Sequence, residues 1–168
     1  SFPTRRSSDL VKVDSNKKYN LEGYLFPDTY FFDKNFDAKS VIKVMLDNFD
    51  KKLSKLEKET GKKINKDEIE SIVIKASLVE KEARLDEERP MIASVINNRI
   101  SKGMKLEFCS TVNYVIGYEG NEILSYNDLK VESPYNTYKN AGLPVGAVGS
   151  PGYNSIKAVL EPADTNYL

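Results

Sequence analysis

Apolar residues recur every three or four positions over several stretches of the chain, a spacing typical of helices with one buried face. The longest such stretch, residues 37–59, is followed by Gly61, a residue that favours the end of a helix. The same pattern predicts four further helices, over residues 67–83, 90–103, 110–117 and 153–162. These segments form the helical part of the predicted fold.

Two other stretches lack the helical spacing. Residues 19–32 are rich in aromatic side chains and carry turn signals at Gly23 and Pro27–Asp28, which predicts two short strands around a turn. Residues 125–152 are dense in glycine, proline, asparagine and tyrosine, which predicts a long ordered loop. The sequence therefore predicts an α+β fold, in which helices pack on a small mixed sheet and a cleft lies beside the long loop.

Glu80 interrupts the apolar face of the second predicted helix. Because a helix turns by about 100° per residue, Ile69, Val73, Ala76 and Glu80 follow one another along a single stripe. Glu82 falls on the opposite side, where water is expected. A carboxyl group inside an apolar stripe loses hydration, which raises its pKa. A glutamic acid that stays protonated near neutral pH can donate a proton to a leaving group.

The alternative interpretation of Glu80 is structural. An arginine would neutralise the carboxylate, and the candidates are Arg84, four residues further along the helix, and Arg99 in the next predicted helix. Ion pairs of this kind also perturb carboxylates. The apolar pattern by itself therefore favours the structural interpretation and only makes Glu80 eligible for catalysis.

The composition narrows the chemistry that is possible. The chain of 168 residues has no histidine and a single cysteine, Cys109, which argues against a zinc site, an internal disulfide and a histidine-based triad. Lys+Arg and Asp+Glu both number 25, so a nucleic-acid partner is not expected. No metal and no cofactor are predicted. Acid–base chemistry therefore falls to carboxylates, tyrosines or lysines.

The long loop offers groups that suit a carbohydrate ligand. Amides and hydroxyls hydrogen-bond sugar hydroxyls, tyrosine rings stack on pyranose rings, and these groups adjoin at Tyr135, Asn136, Thr137 and Tyr138. Turn formation and ordinary packing would explain the same four residues. Glycoside hydrolases ordinarily use a second carboxylate. The candidates lie in a charged connection and none is a convincing partner for Glu80: Asp86, Glu87 and Glu88.

The first ten residues, SFPTRRSSDL, correspond to one translated frame of a common sequencing adapter. We therefore expect residues 1–10 to be non-native. No apolar run reaches the length of a membrane span. The native sequence would begin near Val11, in mid-protein, so an upstream signal or anchor would be lost without trace.

Six sequence blocks occur in the order known from one protein family. They are LEGYLFPDTY (21–30), ASLVEKE (76–82), ASVINNRISKGMKLE (93–107), STVNY (110–114), SPYNTY (133–138) and GLPVGAVGSPG (142–152). Together they resemble the endolytic murein transglycosylases (MltG, YceG-like). The resemblance implies that residues 21–168 are a catalytic domain clipped at its C-terminal end. Residues 11–20 would be the remnant of an upstream linker and LysM-like subdomain.

The resemblance also implies an activity, that of a bacterial lyase cutting nascent peptidoglycan strands internally. Glu80 matches the family's catalytic glutamate. It would protonate the glycosidic oxygen between MurNAc and GlcNAc, then accept a proton as the MurNAc 6-hydroxyl attacks to give a 1,6-anhydro end. Peptidoglycan strands are the implied partner, with cell-wall synthesis proteins as further candidates. The implied location is the outer face of the cytoplasmic membrane, through an N-terminal anchor absent from this chain.

Other positions are carried over from the same family. Cys109–Ser110 stands where the family usually has Asp–Pro, so any role of that aspartate is absent or moved.

Two alternatives to the lytic enzyme stay open. One is a non-catalytic peptidoglycan-binding or cell-wall scaffold module, and the other is a hydrolytic muramidase with a second carboxylate close to Glu80. The residues implied to line the cleft match the family's YNTY block and Asn–Arg pair: Tyr135, Asn136, Thr137, Tyr138 and Arg99.

Overall fold

Five α-helices make up most of the regular structure in a computed structural model that describes residues 11–118 and 123–168. Each lies where the sequence predicted a helix, with ends shifted by one or two residues. The segment 1–10, predicted to be non-native, lies outside the described residues. Two short 3-10 turns cover Asp86–Glu88 and Asp128–Lys130. The helices are α1 (Ala38–Thr60), α2 (Lys66–Glu82), α3 (Arg89–Ser101), α4 (Cys109–Ile116) and α5 (Tyr153–Leu160).

Local side-chain chemistry sets the ends of the two long helices. At the start of α1, the Asp37 carboxylate accepts a hydrogen bond of 2.7 Å from the Ser40 amide. The helix ends at Gly61, whose φ of 68° is left-handed and suits glycine. At the start of α2, the Glu68 carboxylate accepts from the Asn65 amide at 3.0 Å. These contacts position α2, which carries Glu80 in its last turn.

The predicted strands over residues 19–32 are wrong, and with them the α+β fold with a mixed sheet. The described residues contain no strand, so the fold is helical. Gly23 forms a turn, and the following segment has no regular secondary structure and does not pair with another described backbone segment. Tyr24 and Phe26 are buried because they pack against the helices, and the Tyr24 ring meets Phe49 of α1 edge-on. The aromatic residues of this segment therefore pack on helices and not on a neighbouring strand.

Helix α2 is the centre of the packing. It contacts α3, α4 and α5, and buried residues occur on several of its sides, including Ile74 and Leu78. One face joins a cluster with α1, the aromatic segment and α5, and the other joins a cluster with α3 and the long loop. A helix enclosed in this way holds its C-terminal residues in a fixed position. Glu80 is therefore presented from a rigid element.

The long loop and the N-terminal segment close over α2. The Tyr135 hydroxyl accepts a hydrogen bond of 3.0 Å from the Lys18 amide, and the mostly buried Lys17 ammonium pairs with Glu70 of α2. Gly23 is the tightest point of this arrangement. Its φ is 88°, and a β-carbon there would lie 2.4 Å from Val73 Cγ1 and 2.8 Å from Ala147 Cβ. The close approach of the three segments therefore requires glycine.

We expect Gly23→Ala to lower the free energy of unfolding by about 3 kcal/mol or more, because left-handed strain and overpacking add. Gly61→Ala is the matched control, since Gly61 also has positive φ but has nothing within 4 Å of the added methyl. It should cost about 1–2 kcal/mol. Urea unfolding of both variants measures the difference. Equal losses would show that the close packing at Gly23 contributes nothing.

Candidate active site

Glu80 lies where the end of α2 meets the beginning of α5. Its Oε2 accepts a hydrogen bond of 2.9 Å from the backbone amide of Gly152, the residue that caps α5. The Ser155 hydroxyl donates to the same oxygen at 2.7 Å. The N-terminus of a helix carries a partial positive charge and favours a carboxylate. The start of α5 thus binds and orients one oxygen of Glu80.

Arg89 is the third polar partner of Glu80. Its Nη1 lies 3.4 Å from Glu80 Oε2 and donates to the Ser155 hydroxyl at 2.5 Å, while its Nε donates to Asp86 Oδ1 at 2.7 Å. Only 14% of the Arg89 side chain is exposed. The Asn154 amide donates to the other Asp86 oxygen at 2.9 Å. A continuous polar chain therefore runs from Glu80 through Arg89 and Asp86 to Asn154.

The surroundings of Glu80 correct the expectation of an apolar pocket. The stripe is buried at Ile69, Val73 and Ala76, but it ends before Glu80, whose side chain is 33% exposed. The ion-pair partner is Arg89, and not Arg84 or Arg99 as the sequence suggested. All three polar contacts reach Oε2. Glu80 Oε1 has no hydrogen-bond partner among residues 11–118 and 123–168, so it is the oxygen available to a ligand.

Asn136 and Thr137 of the long loop are fully buried and hold that loop together. The Asn136 amide donates to the carbonyl oxygens of Leu129 and Val131 at 3.0 and 2.8 Å. The Thr137 hydroxyl accepts from the Phe108 amide at 3.0 Å and shares a 3.0 Å hydrogen bond with the hydroxyl of Thr111 in α4. Both side chains thus connect the loop to its neighbours. A direct contact of either with substrate stays a prediction.

The two tyrosines of the YNTY block differ in exposure. Tyr135 is buried, and its ring packs on Tyr114 with the centroids 5.0 Å apart. Tyr138 is half-buried, and its hydroxyl lies 3.1 Å from the sulfur of the exposed Cys109. Burial raises the pKa of the Tyr138 hydroxyl above its ordinary value, so this group stays protonated and able to donate. Tyr138 is therefore the member of the block best placed to meet a ligand.

Arg99 forms no hydrogen bond or ion pair with Glu80 or its polar partners in the described structure, and it joins α3 to the segment that leads into α4. Its Nη1 donates to the Leu106 carbonyl at 2.5 Å. Ser110, which begins that helix with Cys109, donates to the Glu82 carboxylate at 2.6 Å. Glu82 is thus half-buried and hydrogen-bonded, whereas the helical pattern placed it in water.

Comparison with known proteins places this arrangement in a family. A family model described as the YceG-like family matches residues 4–168. An endolytic murein transglycosylase of Bacillus subtilis (strain 168) is 39% identical over 168 residues, which is 99% of this chain and 45% of that protein. A protein of the same name from Streptococcus pneumoniae is 39% identical over 171 residues, 99% of this chain and 30% of that protein.

The chain belongs to the YceG-like family. A crystal structure of a yceG-like protein from Listeria monocytogenes superposes with a TM-score of 0.81 at 36% identity, covering 99% of this chain and 53% of that one. The resemblance found in the six sequence blocks is therefore confirmed. The chain spans less than half the length of the curated relatives it matches.

Two further features bear on the chemistry of this YceG-like chain. In the part of the chain that the structure describes, no three His, Cys, Asp or Glu residues lie together in a way that would hold a metal ion. None of the described helices is both long and apolar enough to cross a membrane.

The sequence did not identify the partners of Glu80. Gly152 and Ser155 follow it by 72 and 75 residues and have no periodic signal that marks them. Arg89 had one indirect signal, because a cation in the first turn of a helix is unfavourable and therefore calls for a nearby anion. Of the three candidate second carboxylates, only Asp86 contacts the partner of Glu80. The Glu88 carboxylate caps the backbone amides of Arg84 and Leu85 instead.

We expect the pKa of Asp86 to lie below its ordinary value of 3.8, because Arg89 and then Asn154 donate to the carboxylate. The ion pair between Asp86 and Arg89 is thus fully formed above pH 3.8, and it is lost as the pH falls through the lowered pKa of Asp86. In Arg89→Gln, the pKa should rise towards 3.8. Asp128, whose pKa Ser125 lowers, should not change. Carboxyl-carbon NMR measures both, and an unchanged Asp86 would show that Arg89 does not contact it in solution.

Proposed function

We propose that this chain is the catalytic part of an endolytic peptidoglycan transglycosylase, with Glu80 as its acid and base. The geometry of the two Glu80 oxygens carries the proposal. Oε2 is held by Gly152, Ser155 and Arg89, whereas no residue that the structure describes hydrogen-bonds Oε1, and a third of the side chain is exposed. A carboxyl group fixed in this way can present a proton to substrate from Oε1 without rotating.

The first step is protonation of the glycosidic oxygen between MurNAc and GlcNAc by Glu80. As the carbon–oxygen bond breaks, negative charge develops on the carboxylate. The three donors directed at Oε2 stabilise that charge, and they need no reorganisation because they are already in place. Arg89 and the positive end of α5 thus act on the same oxygen.

The second step closes a ring within the sugar. The MurNAc 6-hydroxyl attacks its own anomeric carbon and gives its proton to the Glu80 carboxylate, which leaves a 1,6-anhydro end and restores the acid. Atoms balance without water, so one carboxyl group is sufficient. Tyr138 is proposed to contact the glycan, while Asn136, Thr137 and Tyr135 are proposed to fix the loop that presents it. The proposed role of Arg99 is to fix the segment after α3.

The position of Asp86 favours a second candidate function, that of a hydrolytic muramidase. This residue is joined to Glu80 through Arg89 and is the nearest acidic group in that polar chain. Both of its oxygens already accept hydrogen bonds, from Arg89 and Asn154, which leaves it poorly suited to activate a water molecule. The lytic reaction is therefore the better supported of the two.

The proposed substrate places the protein at the cell wall. The relatives' name refers to murein, and the binding partner proposed here is the uncrosslinked glycan strand of peptidoglycan. A location on the outer face of the cytoplasmic membrane is part of the same proposal, because nascent strands are found there. A non-catalytic binding module is the outcome that a complete lack of cleavage would indicate.

We expect Glu80→Gln to reduce cleavage of uncrosslinked strands by about 100-fold or more, since general acid–base catalysis contributes roughly 10²–10⁴-fold. Glu82→Gln, two residues further along the same helix, is the matched control and retains an oxygen that can accept from Ser110. Strand length measured by chromatography reports the rate. Comparable activity of Glu80→Gln and the parent chain would contradict the proposal, as would an equal loss in Glu82→Gln with both proteins folded.

A further inference from the structure

A cavity lies beside Asp86, the carboxylate that accepts a hydrogen bond from Arg89. Its volume is about 180 Å³. Pockets that enclose a whole small ligand have volumes of roughly 300–1,000 Å³, so this cavity would accommodate only part of a larger molecule. Glu80 itself does not border it. The lining residues come from the 86–88 turn, the start of α3, and α5 with the residue that caps its C-terminal end: Asp86, Pro90, Asn154, Lys157, Ala158 and Glu161.

The lining of the cavity does not suit a sugar ring. It contains no aromatic side chain on which a pyranose could stack, and half of its side chains are charged. Lys157 and Glu161 form no salt bridge within 4.0 Å among the described residues. However, the hydrogen bond from Tyr153 and, to a lesser extent, the nearby charge of Lys157 lower the pKa of the Glu59 carboxyl group. The lining thus offers a cation and an anion side by side. A ligand that carries both a carboxylate and an amine matches this arrangement.

We propose that the cavity binds the stem peptide carried by the murein strand. In a peptide-bearing strand the sugars are uncharged, because the lactyl carboxyl group of MurNAc forms the amide bond to the peptide. The peptide itself carries carboxylate and amine groups. Lys157 pairs with a peptide carboxylate, and Glu161 pairs with an amine. This inference rests on the proposed function, because a murein strand presents its peptide to the cavity when the strand occupies the site at Glu80.

The cavity and the catalytic glutamate share their supporting contacts. Asp86 forms one wall of the cavity and also holds Arg89, which reaches Glu80. Asn154 and Lys157 belong to α5, whose first residues hold Glu80 Oε2. A peptide bound here therefore lies against the same helix that positions the acid. The MurNAc bearing that peptide is the sugar whose bond the proposed reaction cuts.

The cleavage test compares two forms of one substrate: uncrosslinked strands with intact stem peptides, and the same strands after an amidase has removed the peptides. We expect Lys157→Ala to raise KM about fivefold on the peptide-bearing strands, the size typical of one half-exposed charge pair. It should leave KM on the peptide-free strands unchanged. Lys66→Ala, an exposed lysine at the start of α2, is the control and should change neither.

An equal change on both substrates, or no change on either, would overturn the inference. A binding measurement that does not depend on cleavage completes the test. The free stem peptide, released from murein by an amidase, is titrated into the parent chain and into Lys157→Ala while backbone amide NMR signals are followed. We expect shifts at Asn154 and Glu161 and about fivefold weaker binding by the variant.

The two measurements separate this inference from the proposed activity. Peptide binding that Lys157→Ala weakens, in a chain that cleaves no strand, would support the cavity as a peptide site and contradict the activity. Strand cleavage without peptide binding, and with equal KM for the two substrates, would support the activity and overturn the peptide site.

Discussion

The seating of the Glu80 carboxylate on the first turn of α5 is the interaction on which the candidate site depends. Two donors from α5 and one from Arg89 converge on Oε2, so the side chain has one fixed orientation. A half-exposed glutamate without these contacts would sample several rotamers and present its proton in no defined direction. The fixed oxygen thus determines the position of the free one. Catalysis by a single carboxyl group requires this kind of preorganisation.

The rest of the fold serves to bring α2 and α5 together. Helix α2 is enclosed by α3, α4, α5, the N-terminal segment and the long loop, so its last turn cannot shift independently. The loop is long, but two buried side chains hold it in place. Asn136 donates to backbone carbonyls of the loop itself, and Thr137 accepts from the backbone amide of Phe108, just before α4. The amide and hydroxyl that looked like sugar ligands in the sequence are thus engaged within the protein. Their proposed importance for the site is the shape they give to the loop that leads to Gly152.

The sequence predicted what depends on local pattern and failed where distant contacts decide. The helices were predicted well because apolar periodicity and capping residues such as Asp37 act within one turn. The strands over 19–32 were wrong because a strand exists only with a partner, and Tyr24 and Phe26 found helices instead. Glu80 is marked in the sequence because it interrupts the apolar stripe. Its partners lie far along the chain, and no local signal could reveal that Ser155 and Gly152 meet it.

The central claim is that one carboxyl group cuts the strand without a water nucleophile. Cleavage of uncrosslinked strands in ¹⁸O-labelled water, followed by mass spectrometry of the new ends, tests it most directly. The account predicts 1,6-anhydro ends that contain no ¹⁸O and are absent when Glu80→Gln replaces the parent chain. Reducing ends that carry one ¹⁸O atom would contradict it, and Asp86 would then be the first residue to examine as the second carboxylate.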